Sequence, residues 1–174
     1  MNETLEVLKT RRSCRKYLKT QIKREELDQI LEAGTYAATG MGRQSPVIVV
    51  LQDPDVIAEV SRLNAAVAGG AGDPFYGAPT VLVVLADRTI PTYRDDGALV
   101  MGNLMNAARA VGVDSCFIYR AREVFDTEEG KALLKKWGVP ENFEGIGNCI
   151  LGYGDEGGIK EAAPRKRDYV IWAK

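Results

Sequence analysis

Between Arg11 and Arg15 stand three arginines and one serine, in the run Thr10-Arg11-Arg12-Ser13-Cys14-Arg15-Lys16-Tyr17. Each guanidinium offers a planar fork of donors that matches phosphate bidentately, and serine adds a hydroxyl. Set between two helices, such a loop can also turn its own N–H groups inward as an anion nest. A solvated basic loop is the alternative, because basic clusters are common on surfaces. A second basic cluster, Arg165-Lys166-Arg167, lies near the other end of the chain. Thr39-Gly40-Met41-Gly42 carries two glycines, which allow positive φ or close approach of backbone to a ligand. An ordinary helix stop is its alternative.

The remaining composition excludes more than it offers. The chain of 174 residues has no histidine. That removes Ser-His-Asp and Cys-His catalysis and every histidine-containing metal site. The three cysteines, Cys14, Cys116 and Cys149, lack metal-ligand spacing. Cys116 and Cys149 lie in apolar runs and read as buried thiols, a pattern that suits a reducing cytoplasm. No metal site is expected. The net charge of −1, with short basic clusters flanked by acids, argues against nucleic acid or an anionic membrane as partner. Residues 1–20 read as too polar for a secretory leader, and no apolar run reaches spanning length. Gly69-Gly70-Ala71-Gly72 neither follows a strand nor opens a helix, so no dinucleotide fingerprint is implied. Phosphate-binding chemistry without a nucleophile, metal or acid–base pair points to a bound cofactor that carries the reaction.

Hydrophobic content of 45% and this length suit one domain, 1–174, with a real core. Periodicity predicts a short helix over 3–9, capped by Asn2, with Leu5 and Leu8 inward. A second helix is expected from Arg24 to Ala38. Val47 to Leu51 is a continuous apolar, mostly β-branched run and reads as a strand buried on both faces. A helix over 53–63 then gives way to a small-residue loop or lid from Asn64 to Gly77. Thr80 to Ala86 is a second buried strand. Tyr93 to Val111 is the longest helix, with Asp95 or Asp96 as cap and Gly112 as stop. Its apolar residues cover most of its circumference, so either it is central or a partner subunit covers part of it. A third strand is expected over 114–119, a charged helical stretch over 121–136, and a fourth strand over 145–152. Tyr169-Val170-Ile171-Trp172 reads as a strand-like tail that needs a docking surface.

Four segments, in order, resemble the nitroreductase family of FMN-dependent oxidoreductases. They are Arg11-Arg12-Ser13-x-Arg15-x-Tyr17; Ala38 to Pro46 followed by Val47 to Leu51; Gly77-Ala78-Pro79-Thr80 with the strand after it; and Gly138-Val139-Pro140-Glu141 through Leu151-Gly152-Tyr153. The resemblance implies an α+β fold: a mainly antiparallel sheet of four or five strands flanked by helices, in a homodimer with FMN at its interface. NADH or NADPH would be the reductant and a small organic molecule the acceptor, in a ping-pong cycle.

By matching positions, Arg11, Arg12, Ser13 and Arg15 would bind the FMN phosphate, ribityl chain and pyrimidine edge. A cation near that edge would raise the flavin's potential. Ala38, Thr39, Gly40 and Gly42 would wall the flavin from the other subunit, with Gln44 in the same segment. Asn64 would hydrogen-bond the flavin, a loop-capping role being the alternative. Tyr119 and Arg120 would lie near N5, where the family often offers a backbone N–H. Arg165 or Arg167 would complete the phosphate site, since C-terminal extensions in the family commonly embrace the other subunit. Two departures stand out. Gly42 falls where many members carry Asn, and Tyr119 where some carry Glu. A non-catalytic flavin-binding protein of the same fold, for sensing or storage, is the alternative function.

Overall fold

A computed structural model describes residues 2–70 and 72–173. Its helices are α1 (Glu3–Thr10), α2 (Arg24–Thr35), α3 (Pro54–Val67), α4 (Tyr93–Ala110), α5 (Ala121–Asp126) and α6 (Glu128–Lys136). Its strands are β1 (Pro46–Leu51), β2 (Thr80–Asp87), β3 (Asp114–Ile118) and β4 (Phe143–Gly152). The strands form one antiparallel sheet in the order β1-β2-β4-β3. The fold is α+β, with helices on both faces of that sheet.

Local chemistry accounts for where the elements start. Asn2 Oδ1 accepts the N–H of Leu5 at 3.2 Å and caps α1. Asp53 caps α3 through the N–H of Asp55, with Pro54 at the first helical position, where its missing donor costs nothing. Thr127 accepts from Gly130 N–H and separates α5 from α6, so the stretch 121–136 is two helices rather than one.

Alternation along β2 builds two cores. Val81, Val83 and Leu85 face α3, α5 and α6, joined by Val60, Leu63, Val124 and Leu133. Leu82 and Val84 face α2 and α4, joined by Ile30, Met101 and Leu104. Burying each such side chain contributes roughly 1.5–3 kcal/mol before entropy is counted. β2 is buried throughout Thr80–Ala86.

Several expectations fail. β1 is an edge strand with Val47 and Val50 exposed, not a strand buried on both faces. α1 leaves Leu5 and Leu8 about half exposed, not inward. α2 stops at Thr35, short of Ala38. α3 runs on through Asn64 to Val67, so the loop begins later than expected. Thr92, not Asp95 or Asp96, stands at the N-cap of α4. The tail 160–173 is exposed and forms no strand, and Trp172 is 85% exposed.

β4 and α5 approach closely because Gly145 has no side chain. A Cβ there would press on the carbonyl of Ala121 and lie 2.9 Å from the backbone nitrogen of Arg122. Gly145→Ala should therefore push α5 off the sheet and cost about 1–3 kcal/mol. Urea denaturation measures it, and an unchanged midpoint would contradict this packing.

Candidate functional site

The arginine loop is not an anion nest. It is extended chain stitched to the sheet. Cys14 N–H donates to Ser115 O at 3.0 Å and Arg15 N–H to Gly158 O at 2.8 Å. Ser13 pairs with Ser115 in a parallel bridge, Cys14 with Ile159 and Tyr17 with Gly154. The backbone donors at Cys14 and Arg15 are thus spent inside the protein.

The arginine side chains divide. Arg12 folds back, its Nη1 donating to Lys9 O at 2.7 Å and Arg11 O at 2.6 Å, which satisfies carbonyls at the end of α1. Arg15 is exposed. Arg11 is the unusual member: its Nη1 is buried and has no hydrogen-bond partner. A buried guanidinium nitrogen without an acceptor costs more than an exposed one, so the site is electrostatically ready for an anion.

The thiols beside the loop are not reactive groups. Burial pushes Cys149 up to about 12, against the pull of the Arg11 charge. Burial also raises Cys14, which is fully enclosed. Among the described residues no group of His, Cys, Asp or Glu is arranged to hold a metal. No helix there is long and apolar enough to cross a membrane.

The other end of β3 carries a second part of the site. Arg120 adopts φ 80 and ψ 12, a left-handed conformation that is rare for a side chain of this size. Its carbonyl accepts from Val124 N–H and starts α5. Asn64, 2% exposed on α3, donates from Nδ2 to Tyr119 O at 2.9 Å. Asn64 thus ties α3 to the connection between β3 and α5. Tyr119 is 66% exposed.

The glycine loop lies elsewhere. Gly40–Gly42 is a short 3₁₀ turn, with Met41 at φ 53 and Gln44 at φ 50. Ala38 is exposed and Thr39 partly buried, its Oγ1 accepting from Gln44 N–H at 3.1 Å. The loop is fastened by Asp96, a residue that the sequence reading assigned only to a cap. Its carboxylate accepts from Gly40 N–H at 2.9 Å, Ser45 Oγ at 2.7 Å and Thr92 Oγ1 at 3.1 Å. A signal was available: Asp96, Val100, Leu104 and Ala108 are spaced four apart, on one buried stripe of α4. Gly40 is anchored near the start of α4, whereas Thr10, next to the arginine loop, accepts from Arg109 Nε near its end. At 1.5 Å per residue those anchors are roughly 20 Å apart along the helix. Arg165 and Arg167 lie on the exposed tail, Arg165 donating only to Ala163 O.

Burial would raise the Asp96 carboxyl, but donation from Ser45, Gly40 and Thr92 outweighs it and holds the group below its ordinary 3.8. A group depressed on folding stabilises the protein above its unfolded value and loses that contribution as pH falls through the folded one. Asp96→Asn should cost about 1–3 kcal/mol at neutral pH, because one donor loses its acceptor. The gap from wild type should narrow as pH drops through the carboxylate range. Urea denaturation at stepped pH tests it, and a gap independent of pH would contradict the assignment.

Comparison with known proteins bears on the family and the fold. The model of the Nitroreductase family matches residues 8–155. A relative from Archaeoglobus fulgidus, provisionally named NADH dehydrogenase/NAD(P)H nitroreductase, is 31% identical over 95% of this chain and 94% of its own. The crystal structure of a nitroreductase with bound FMN from Bacteroides fragilis superposes with a TM-score of 0.92, at 30% identity and full coverage of both chains. A nitroreductase with bound FMN from Desulfitobacterium hafniense gives 0.89 at 25% identity, again over both full chains. Family model, relative and superposition converge: the chain belongs to the nitroreductase family.

Proposed function

We propose that the protein is an FMN-dependent oxidoreductase that takes electrons from NADH or NADPH and passes them to a small organic acceptor such as a quinone or nitroaromatic. The observation that carries this is the buried Nη1 of Arg11, which has no hydrogen-bond partner among the described residues. Bound FMN would supply the redox chemistry, accepting a hydride from the nicotinamide and returning two electrons to the acceptor.

The chain's own residues bind and orient. Arg11, Ser13 and Arg15 would hold the phosphate and the polar chain beside it, where charge-assisted hydrogen bonds are strongest. Arg12 has part of its donor set committed to α1 and contributes with what remains. The Tyr119–Arg120 turn would present backbone to the ring. Arg165 and Arg167 would add donors from the tail.

The reading includes a homodimer. Leu99 is 50% exposed on α4, Ala98 beside it is also exposed, and a Cβ on Gly102 would meet nothing within 4 Å. A two-fold axis near Gly102 would set the start of one α4 beside the end of its partner. That pairing would carry the Gly40–Gly42 turn of one copy toward the arginine loop of the other, which α4 separates within a single chain. The exposed Tyr169–Trp172 segment would find cover on the second copy.

Two experiments bear on the reading. Arg11→Met should weaken FMN binding about tenfold to a hundredfold, as expected for a lost charge-assisted hydrogen bond. The flavin-free variant should be no less stable than wild type, because it removes an unpaired buried donor. Equal flavin affinity by fluorescence titration would contradict the assignment. Steady-state NAD(P)H oxidation with a quinone should give parallel double-reciprocal lines, because donor and acceptor would use one face in turn. Intersecting lines would require both to bind together. No turnover with quinones or nitroarenes would favour a flavin-binding protein without catalysis.

A further inference from the structure

Asn64 was expected to touch the cofactor. Its amide already has one partner within the protein. Nδ2 donates to Tyr119 O at 2.9 Å, from a side chain only 2% exposed. The residue that follows, Arg120, sits at φ 80 without being glycine. A non-glycine residue in this region is strained and persists only where its surroundings hold it there. Among the described residues nothing accepts from the N–H of Arg120, although its carbonyl is used to start α5. The peptide between Tyr119 and Arg120 is planar and trans, so its C=O and N–H point in opposite directions. With the carbonyl drawn toward α3, the N–H faces away from α3.

Resting on the FMN reading above, we propose that Asn64 is a positioning residue: it holds the Tyr119–Arg120 peptide so that the Arg120 N–H is aimed outward as a fixed donor to the flavin ring. Asn64 acts through the turn and does not itself bind the ring. Three features belong to this one device. The donor Nδ2 lies on a rigid helix, the accepting carbonyl is the first after β3, and the strained φ belongs to the residue whose N–H is left free.

The amide resonance of Arg120 reads this directly in isotope-labelled protein. On titration with FMN it should move downfield in wild type. Asn64→Leu keeps the volume and removes the donor, so the shift should largely vanish and the FMN dissociation constant should rise about tenfold. Adding Arg120→Gly to Asn64→Leu should recover much of the affinity, because glycine adopts positive φ without support. Asn64→Leu that binds FMN normally and keeps the shift would overturn the inference. So would a double variant no better than the single one while both remain folded by circular dichroism. A wild-type chain that binds no FMN would overturn the functional reading itself. A wild-type chain that binds FMN with no movement at Arg120 would overturn only the role of Asn64.

Discussion

The candidate site depends on the outer edge of β3. That strand pairs with β4 on one side only, and the chain spends its other edge on the arginine loop. The bond from Cys14 N–H to Ser115 O and the pairing of Ser13 with Ser115 fix where the guanidinium groups start. Farther along the same strand, the bond from Asn64 to Tyr119 O fixes where the sheet turns into α5. An extended ligand laid along β3 would meet arginine at one end and a backbone donor at the other. Neither end could be placed without the sheet beneath it.

Burial then decides which groups can do chemistry. Around the loop, enclosure keeps Cys14 and Cys149 protonated at neutral pH and makes them packing residues. Enclosure has a different effect on Arg11, which cannot lose its charge and is left with a donor to place. On α4, enclosure of Asp96 is tolerated because three donors surround it, and they tie the small-residue turn to the helix. The same physical term silences one group, primes a second and turns a third into an anchor.

Much of this was legible in the sequence. β2 announced itself as an uninterrupted apolar run, and α4 by length and periodicity. The donor chemistry that Arg11, Ser13 and Arg15 offer a phosphate can be read from residue type alone. Their conformation cannot, because the loop takes its shape from partners a hundred and more residues away, at Ser115 and Gly158. The end of α3 lies beyond the expected Leu63 because Ala65-Ala66 belongs with the helix, which alanine favours, and Gly69, at φ 70, supplies the stop. β1 was misjudged because a β-branched run does not reveal whether a second strand will flank it. Leu5, Leu8 and the Tyr169–Trp172 segment were legible as apolar, but what covers them is not written in their own neighbourhood.

The claim at the centre of this account is that a single-phosphate flavin is the group for which the arginine loop is built. The direct measurement is to denature the purified protein and identify the released chromophore by chromatography. The account predicts FMN, because the loop supplies arginines for one terminal phosphate and the chain has no dinucleotide fingerprint. Release of FAD, or of no flavin after attempted reconstitution, would contradict it.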